Sequence, residues 1–435
     1  MSGADTVVVG AGIAGLACAT ELVANGCDDV LVLEAAPRAG GPAETVRIGE
    51  YLVERGPLTV RANAELLRLV ARAGLVPVEA RRAAAAFVSD GKVVALPPSL
   101  GALARGEVLP LGALLSALAE PFRPVRAGPR TVRALVEQRF GAAAADRLAD
   151  LMTLGVYGTT ADQVGFEAAF PALAESLARA GGRFAGLALR GLFSPRTRRA
   201  PIVSTELGLG GLCARLAESL GPHLRTRAPV TRLRRAGAGF ELEAGGEKLA
   251  CRRAVLAAPP AAAARALVAP GAVELLGGYS SVPQVLAHFA LEEPACAERW
   301  TGLGFLVPPR ERLPLVGCLF PSNLFADRAP RGALLLAVFA ARPLHGASDA
   351  ALARELAPVL RQLLGATREP ALLDVSRHPE GIPLYDTGHA ERTRALRKRL
   401  AESSGPTLCG VGWDGVAFAA AAASGIAAAR ALGAR

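Results

Sequence analysis

The chain lacks any arrangement of histidine or cysteine suited to a metal. Its five histidines show no HxxxH or HExxH spacing, and its seven cysteines (18, 27, 213, 251, 296, 318 and 409) include no CxxC pair. An odd, scattered set fits reduced, buried thiols better than a disulfide framework or a zinc site. Aromatic residues make up only 5% of the sequence, so the net charge of +10 comes without the stacking platform that single-stranded nucleic acid needs. Lysine occurs only at 92, 248 and 398. The basicity is therefore carried by arginine, and anionic lipid or an acidic small substrate remain as electrostatic partners. Long apolar runs are also missing. Residues 275–291 are interrupted by Gly277, Gly278 and Pro283, and 415–429 is too short and mostly alanine, so no transmembrane helix is expected. The opening MSGADTVVVG has neither the basic flank nor the cleavage site of a secretion signal, which predicts a cytoplasmic location.

At 435 residues the chain is long enough for two or three domains. Residues 6–10, TVVVG, form an apolar run of strand length, and GAGIAGLACATELVANG follows as a glycine turn and a helix closed by Gly26. In this βα unit Gly10 permits the tight turn, Gly12 lets the backbone approach a pyrophosphate, and Gly15 lets the helix lie close to the strand. The first helical turn, Ile13, Ala14 and Leu16 included, then faces the phosphates. A second strand, DVLVLE, ends in Glu34, 19 residues after Gly15, where a carboxylate can accept hydrogen bonds from ribose hydroxyls. Arg38, Gly40 and Gly41 follow at once. A nicotinamide has no recurring use for an arginine and two glycines here, whereas the longer ribityl-pyrophosphate of FAD can use a charge partner and bare backbone.

This turn-strand-RAGG pattern resembles the FAD fingerprint of the amine oxidase, phytoene desaturase and protoporphyrinogen oxidase superfamily. A second signature, GPTLCGVGWDGVAFAAAAASGIAAARAL at 405–432, reads as strand, glycine turn and small-residue helix. By that resemblance the C-terminal helix points its N-terminus at the flavin pyrimidine. Gly410, Val411, Gly415, Val416, Ala417 and Phe418 become candidate contacts, and Val230 takes the position of a backbone contact to adenine. GEYLVERGPLTV (49–60), LMTLGVYGTTADQVGFEAAFPAL (151–173) and GIPLYDTGHAER (381–392) resemble three motifs of the oxygen-dependent protoporphyrinogen and coproporphyrinogen oxidases, and with GLGFLVP (302–308) and FPSNLFADRAP (320–330) they spread the likeness along the chain. The first implies that Gly56, Pro57, Leu58 and Thr59 lie beside the flavin ring. The second implies that the Gly155 carbonyl faces the substrate pyrroles, with Leu303 and Phe320 flanking the macrocycle.

The resemblance implies an α/β fold: a Rossmann-like FAD-binding domain with an inserted sheet-based substrate domain and a helical, membrane-facing subdomain. The expected division is 1–62, 205–263 and 379–435 for FAD; 63–93, 175–204 and 264–378 for substrate; and 94–174 for the helical part, whose pattern is broken at Pro97-Pro98, Pro110, Pro121, Pro124 and Pro129. The implied activity is the six-electron oxidation of protoporphyrinogen IX to protoporphyrin IX, by hydride transfer to flavin N5 with O2 as the acceptor. Coproporphyrinogen III, another flavin oxidase or desaturase activity, and a flavin- or porphyrin-binding protein without turnover stay open. So do a homodimer and peripheral contact with the inner face of the cytoplasmic membrane. No Ser-His-Asp or paired-carboxylate constellation is present, and a cofactor that carries the chemistry needs none. Tyr157 reads as a capped core tyrosine, and His389 as a structural histidine rather than a proton shuttle. Several positions depart from the family: Leu58-Thr59 replace Asn-Ser, His378 replaces a tryptophan, and Ala420-Ala421 replace Asp-Cys. Ala85 stands near the position where some members of the family carry an arginine that pairs with a propionate, for which Arg81 or Arg82 could substitute.

Overall fold

The computed structural model describes residues 4–81, 84–96, 116, 118–125, 128, 130–187, 200–269 and 271–433. Arg82 and the proline breaks at 97, 98, 110 and 129 lie outside them. The chain divides into two compact units, Met1–Ala80 with Ala200–Ser281 and Glu391–Arg435, and Arg81–Arg199 with Val282–Ala390. Residues 63–80 and 264–281, set with the substrate domain by the sequence, belong to the first unit. Leu66, Leu69 and Val70 join its core through the helix Ala64–Arg72, and Ala272 and Leu276 do so on the opposite side of the sheet. Residues 379–390 belong to the second unit.

The first unit is organised by β1 (Ala4–Val9), which pairs in parallel with β2 (Val30–Leu33) on one side and with Glu247–Leu256 on the other. Strands covered on both faces read as continuous apolar runs rather than alternating ones, which is how VVV and VLVL appear in the sequence. Because the sheet extends both ways from β1, a crevice is left at the carboxyl ends of the strands, the usual seat of a ligand in such sheets. Beyond Glu247–Leu256 the sheet continues antiparallel through the hairpin of Gly239–Ala244 and Val230–Ala236.

The helix α1 (Ile13–Ala24) and the C-terminal helix Phe418–Gly433 pack against each other on one face of this sheet. A Cβ on Gly425 would lie 2.0 Å from the Ala14 carbonyl oxygen, so this approach depends on the missing side chain. The alanines 421, 422, 428 and 429 extend the same close contact. At the far end of α1, Glu21 is buried and accepts from Arg72 Nη1 at 2.5 Å and Arg430 Nε at 3.0 Å, tying three helices together. Burial opposes its ionisation, but the two guanidinium groups more than reverse this and hold the carboxyl below its ordinary pKa.

The second unit is built on a seven-stranded sheet in the order 371–383, 281–291, 334–340, 315–319, 304–306, 85–89, 92–95. The helix Asp349–Leu364, capped by Ser348 and ended by Gly365 in the left-handed region, covers one face. Its Leu352, Leu356 and Leu360 meet Phe289, Leu336 and Val338. The described residues between 118 and 187 are largely helical and are fastened by a buried ion pair. Arg139 donates to Glu120 Oε1 and to the carbonyls of Glu120, Arg123 and Pro124, while Glu120 also accepts from the amides of Phe184 and Ala185. Among the described residues no helix is long and apolar enough to cross a membrane.

Candidate functional site

The glycine turn after β1 is built as a phosphate seat. Gly10 has φ +100°, which turns the chain sharply at the strand end, and its amide donates to Leu33 O at 2.8 Å. A Cβ on Gly15 would sit 1.9 Å from Gly10 O, so only glycine lets α1 start this close to the strand. Gly12 differs from both: its φ is −68°, and a Cβ there would meet no protein atom within 4 Å. It is the N-cap of α1 and brings no capping side chain, and the helix's first turn has no acidic residue. The amides of Ile13, Ala14 and Gly15 have no carbonyl to reach within the helix, so an anion at this end meets donors and a favourable dipole. Leu16 is different. Its amide already donates to Gly12 O at 2.9 Å and its side chain is fully buried, which makes it a core residue and corrects its expected place among the cofactor contacts.

Glu34 stands at the end of β2. Its Oε2 accepts from Ala11 N at 2.7 Å and its Oε1 from Ala36 N at 2.8 Å. A carboxylate has about four lone-pair directions, so both oxygens keep capacity for a ribose diol. The backbone of 225–228 is laid alongside, with Glu34 N donating to Arg225 O and Ala228 N to Glu34 O, which brings Val230 into the same neighbourhood. Gly40, at φ +107°, donates to Ala11 O, and Gly41 passes the Gly12 Cα at the distance of an ordinary contact. Arg38 was expected to pair with a pyrophosphate. Its Nε and Nη2 instead meet Glu44 at 3.3 Å and its Nη1 donates to the carbonyls of Ala39 and Ala43, so its charge is already answered and it braces the glycine loop.

The Gly56-Pro57 turn is interlocked with that loop, since a Cβ on Gly56 would lie 2.0 Å from Pro42 O. Glu54, which no sequence pattern singles out, is the side chain that holds this turn. It is buried, accepts from Thr45 Oγ1 at 2.7 Å and from Leu209 N at 2.9 Å, and so joins the strand leading into Gly56 to the helix Gly208–Leu220. Opposite α1, Gly410 and Gly415 have φ +112° and +109°, and a Cβ on Gly410 would lie 3.3 Å from Ala14 Cβ. The 410–418 turn thus reaches the first turn of α1, as the sequence expected of the two ends of the chain. Leu58 and Phe418 are buried, whereas Val411, Val416 and Ala417 keep accessible surface.

In the second unit Gly155 lies in the helix Asp150–Tyr157, exposed, next to the half-exposed Val156 and in ordinary contact range of the Leu306 side chain. The turn after it is held by Asp150, which accepts from Ala161 N, and by Thr153, which donates to Thr159 O. Tyr157 donates to Ala169 O and packs against Phe170 and Tyr385; burial pushes its phenol well up, so it stays neutral. His389 is buried and stacked on Tyr385 at 3.7 Å between ring centroids. Leu303 is partly exposed, its amide donating to Ala84 O and its carbonyl accepting from Phe320 N. Asn323 pins the same loop by donating to the carbonyls of Trp300 and Gly302. Phe320 itself is 1% exposed, wedged edge-on against Trp300 and Phe305. It has no surface to offer a macrocycle, and the expectation that it flanks the substrate is corrected to a role in the core. Ala85 pairs with Gly304, and the exposed Arg81 is the cation the described residues place nearest to it in the chain.

All seven cysteines are free, and burial pushes the thiols of Cys18, Cys213 and Cys251 up to about 12, so none of these is a nucleophile at neutral pH.

The glycine seat, the acid at the end of β2 and the returning C-terminal helix define a dinucleotide-binding flavoprotein. The model of the family described as flavin containing amine oxidoreductase matches residues 13–433, and the chain belongs to that family, within its branch of protoporphyrinogen and coproporphyrinogen oxidases. Its cofactor is FAD, and the protein is an FAD-dependent oxidoreductase. Among its relatives are the coproporphyrinogen III oxidase of Propionibacterium freudenreichii subsp. freudenreichii, 29% identical over 93% of this chain and 87% of that one, and the protoporphyrinogen oxidase of Homo sapiens, 28% identical over 95% of both. A crystal structure described as a putative protoporphyrinogen oxidase from Exiguobacterium has the same fold, with a TM-score of 0.83, 24% identity and 99% of each chain covered.

Proposed function

We propose that the protein oxidises protoporphyrinogen IX to protoporphyrin IX in haem biosynthesis, passing six electrons in pairs to O2. Bound FAD supplies the chemistry, accepting a hydride at N5 and returning electrons to oxygen. The chain's own residues bind and orient. The observation that carries the cofactor half of this reading is the open space at Gly12, bordered by the first-turn amides of α1 and by Glu34. We assign the first unit to FAD, through Gly10, Gly12, Ile13, Ala14, Gly15, Glu34, Gly40, Gly41, Gly56–Thr59, Val230 and the 410–418 turn. We assign the second unit to the substrate, through the Gly155 carbonyl and Leu303. A flat apolar macrocycle needs an apolar surface with few polar contacts, which suits the exposed Gly155-Val156 edge beside Leu306.

Support for a porphyrinogen comes from relatives of that activity that cover nearly the whole of both chains. Because coproporphyrinogen III oxidases stand among them, coproporphyrinogen III is the second reading. The test is anaerobic bleaching of the flavin band near about 450 nm on addition of each porphyrinogen, with porphyrin fluorescence rising on admission of air. Bleaching by protoporphyrinogen with the larger kcat/KM supports the first reading, and by coproporphyrinogen the second. A yellow protein that neither bleaches nor yields fluorescence refutes both.

We also propose peripheral contact with an anionic membrane surface through Leu118, Phe122 and Val125, which are 75%, 88% and 42% exposed and lie beside Arg123 and Arg183. An exposed aromatic flanked by cations combines the two attractions such a surface offers. Phe122→Asp should abolish flotation with vesicles containing phosphatidylglycerol, and unchanged flotation would exclude this contact.

A further inference from the structure

The hydrogen bonding behind the 410–415 turn is more elaborate than the turn itself requires. The Gly410 carbonyl accepts from Trp413 N at 3.0 Å and Asp414 N at 3.1 Å, which already closes the loop. The Gly410 amide points the other way and donates to Ser424 Oγ at 2.9 Å. Ser424 is buried in the C-terminal helix, and its hydroxyl donates in turn to Asp414 Oδ2 at 2.6 Å. Arg397 Nη2, from the helix His389–Glu402, then meets both oxygens of Asp414 at 2.8 Å. A charge on one helix is thereby connected through a carboxylate and a hydroxyl to one backbone amide on another segment. That amide belongs to a residue packed against Ala14 in the first turn of α1, where an added Cβ would lie 3.3 Å from Ala14 Cβ.

We propose that Ser424 and Asp414 are positioning residues for FAD. They hold the Gly410 peptide, in its left-handed conformation, so that the turn presents its backbone to the dinucleotide at the mouth of α1. The geometry has a direction. Ser424 accepts from the Gly410 amide, Asp414 orients the Ser424 hydroxyl so that its lone pair faces that amide, and Arg397 holds Asp414 in place through both carboxylate oxygens. The inference rests on the assignment of the 410–418 turn to the flavin.

The test is titration of deflavinated protein with FAD, followed by flavin fluorescence and by the shape of the visible flavin band. Thermal unfolding of the apoprotein is measured in parallel. Ser424→Ala leaves the Gly410 amide buried without its acceptor and should weaken FAD binding on the order of ten-fold. Asp414→Ala should weaken it less, because the hydroxyl remains, and Ser424→Thr should restore wild-type affinity. Arg72→Met serves as the control. It removes one clamp on Glu21 at the opposite end of α1, and should lower apoprotein stability with no change in FAD affinity. Wild-type affinity in Ser424→Ala overturns the proposal. So does a loss of affinity that merely follows lost stability across Ser424→Ala and Arg72→Met alike. A wild-type protein that takes up no FAD overturns the assignment of the turn together with the proposal, and is read before any variant.

Discussion

Substituting Gly12 by alanine separates a phosphate seat from a merely compact turn. The backbone there has φ −68° and ψ 177°, open to any residue, and the added methyl group meets no protein atom within 4 Å. Alanine is a poorer N-cap than glycine by a few tenths to about 1 kcal/mol, and restricting the unfolded chain returns about 0.4–1 kcal/mol. The apoprotein should therefore unfold within a degree or two of the wild type. A methyl group in the space where the pyrophosphate must approach pushes it off the first-turn amides. Losing two charge-assisted hydrogen bonds at about 1.5–3 kcal/mol each corresponds to at least about 100-fold in FAD affinity. Gly15→Ala should behave in the opposite sense: its Cβ would stand 1.9 Å from Gly10 O, and the apoprotein itself should be destabilised by about 1–3 kcal/mol or more. Differential scanning fluorimetry of the two apoproteins and FAD titration measure both quantities. A Gly12→Ala protein that binds FAD as tightly as wild type would show that the cofactor does not use this turn.

Glu34→Ala removes the acceptor for Ala11 N and Ala36 N as well as for the ribose, so FAD affinity should fall by about 10- to 100-fold in the same titration, and less in Glu34→Gln. Arg139→Met strands the buried Glu120 without its cation, and should cost about 3–5 kcal/mol in denaturant unfolding, with much of it recovered in the Glu120→Met, Arg139→Met double variant. Glu21 is held below its ordinary pKa in the fold, so its contribution is complete above its unfolded value of about 4.3 and is lost as pH falls through the folded value. The melting temperature should stay level from pH 7 to about 5 and drop below that, whereas Glu21→Gln should start lower and show a shallower acid decline. Gly155→Ala meets only Leu306, at 3.6 Å, and should leave kcat near wild type if the contact is made by the carbonyl, while Gly155→Phe should raise KM for the porphyrinogen.

The elements that were legible in the sequence are those whose conformation is dictated locally. β1, α1 and β2 carry unbroken apolar runs divided by glycines at turn positions, and the structure places them within one or two residues of expectation. What was not legible are contacts between segments far apart in the chain. Glu54 stands in a motif noticed for its Gly-Pro, yet its bond to Leu209 spans 155 positions. Leu16 and Phe320 looked like contacts because motif position says nothing about which side of an element faces the core. Arg38 looked free because Glu44, six residues later, carries no pattern of its own.

The residues assigned to FAD and the positions that depart from the family are held by different physics. For the glycines of the first unit the constraint is steric. Cβ atoms on Gly15, Gly56 and Gly425 would each fall about 2 Å from a backbone oxygen, far inside any tolerable contact, so these positions have no alternative residue and the βα turn keeps its pattern. The positions that depart from the family divide by burial. Leu58 and Ala421 are buried, and Ala421 packs in the core against α1, so their side chains answer to the fold. Ala420, Ala85 and His378 are partly exposed, and His378 stands on the edge strand of its sheet. Substitutions at these three should leave the unfolding temperature of the apoprotein near wild type, whereas Ala421→Leu should lower it, because added methylenes in a close-packed contact force the helices apart.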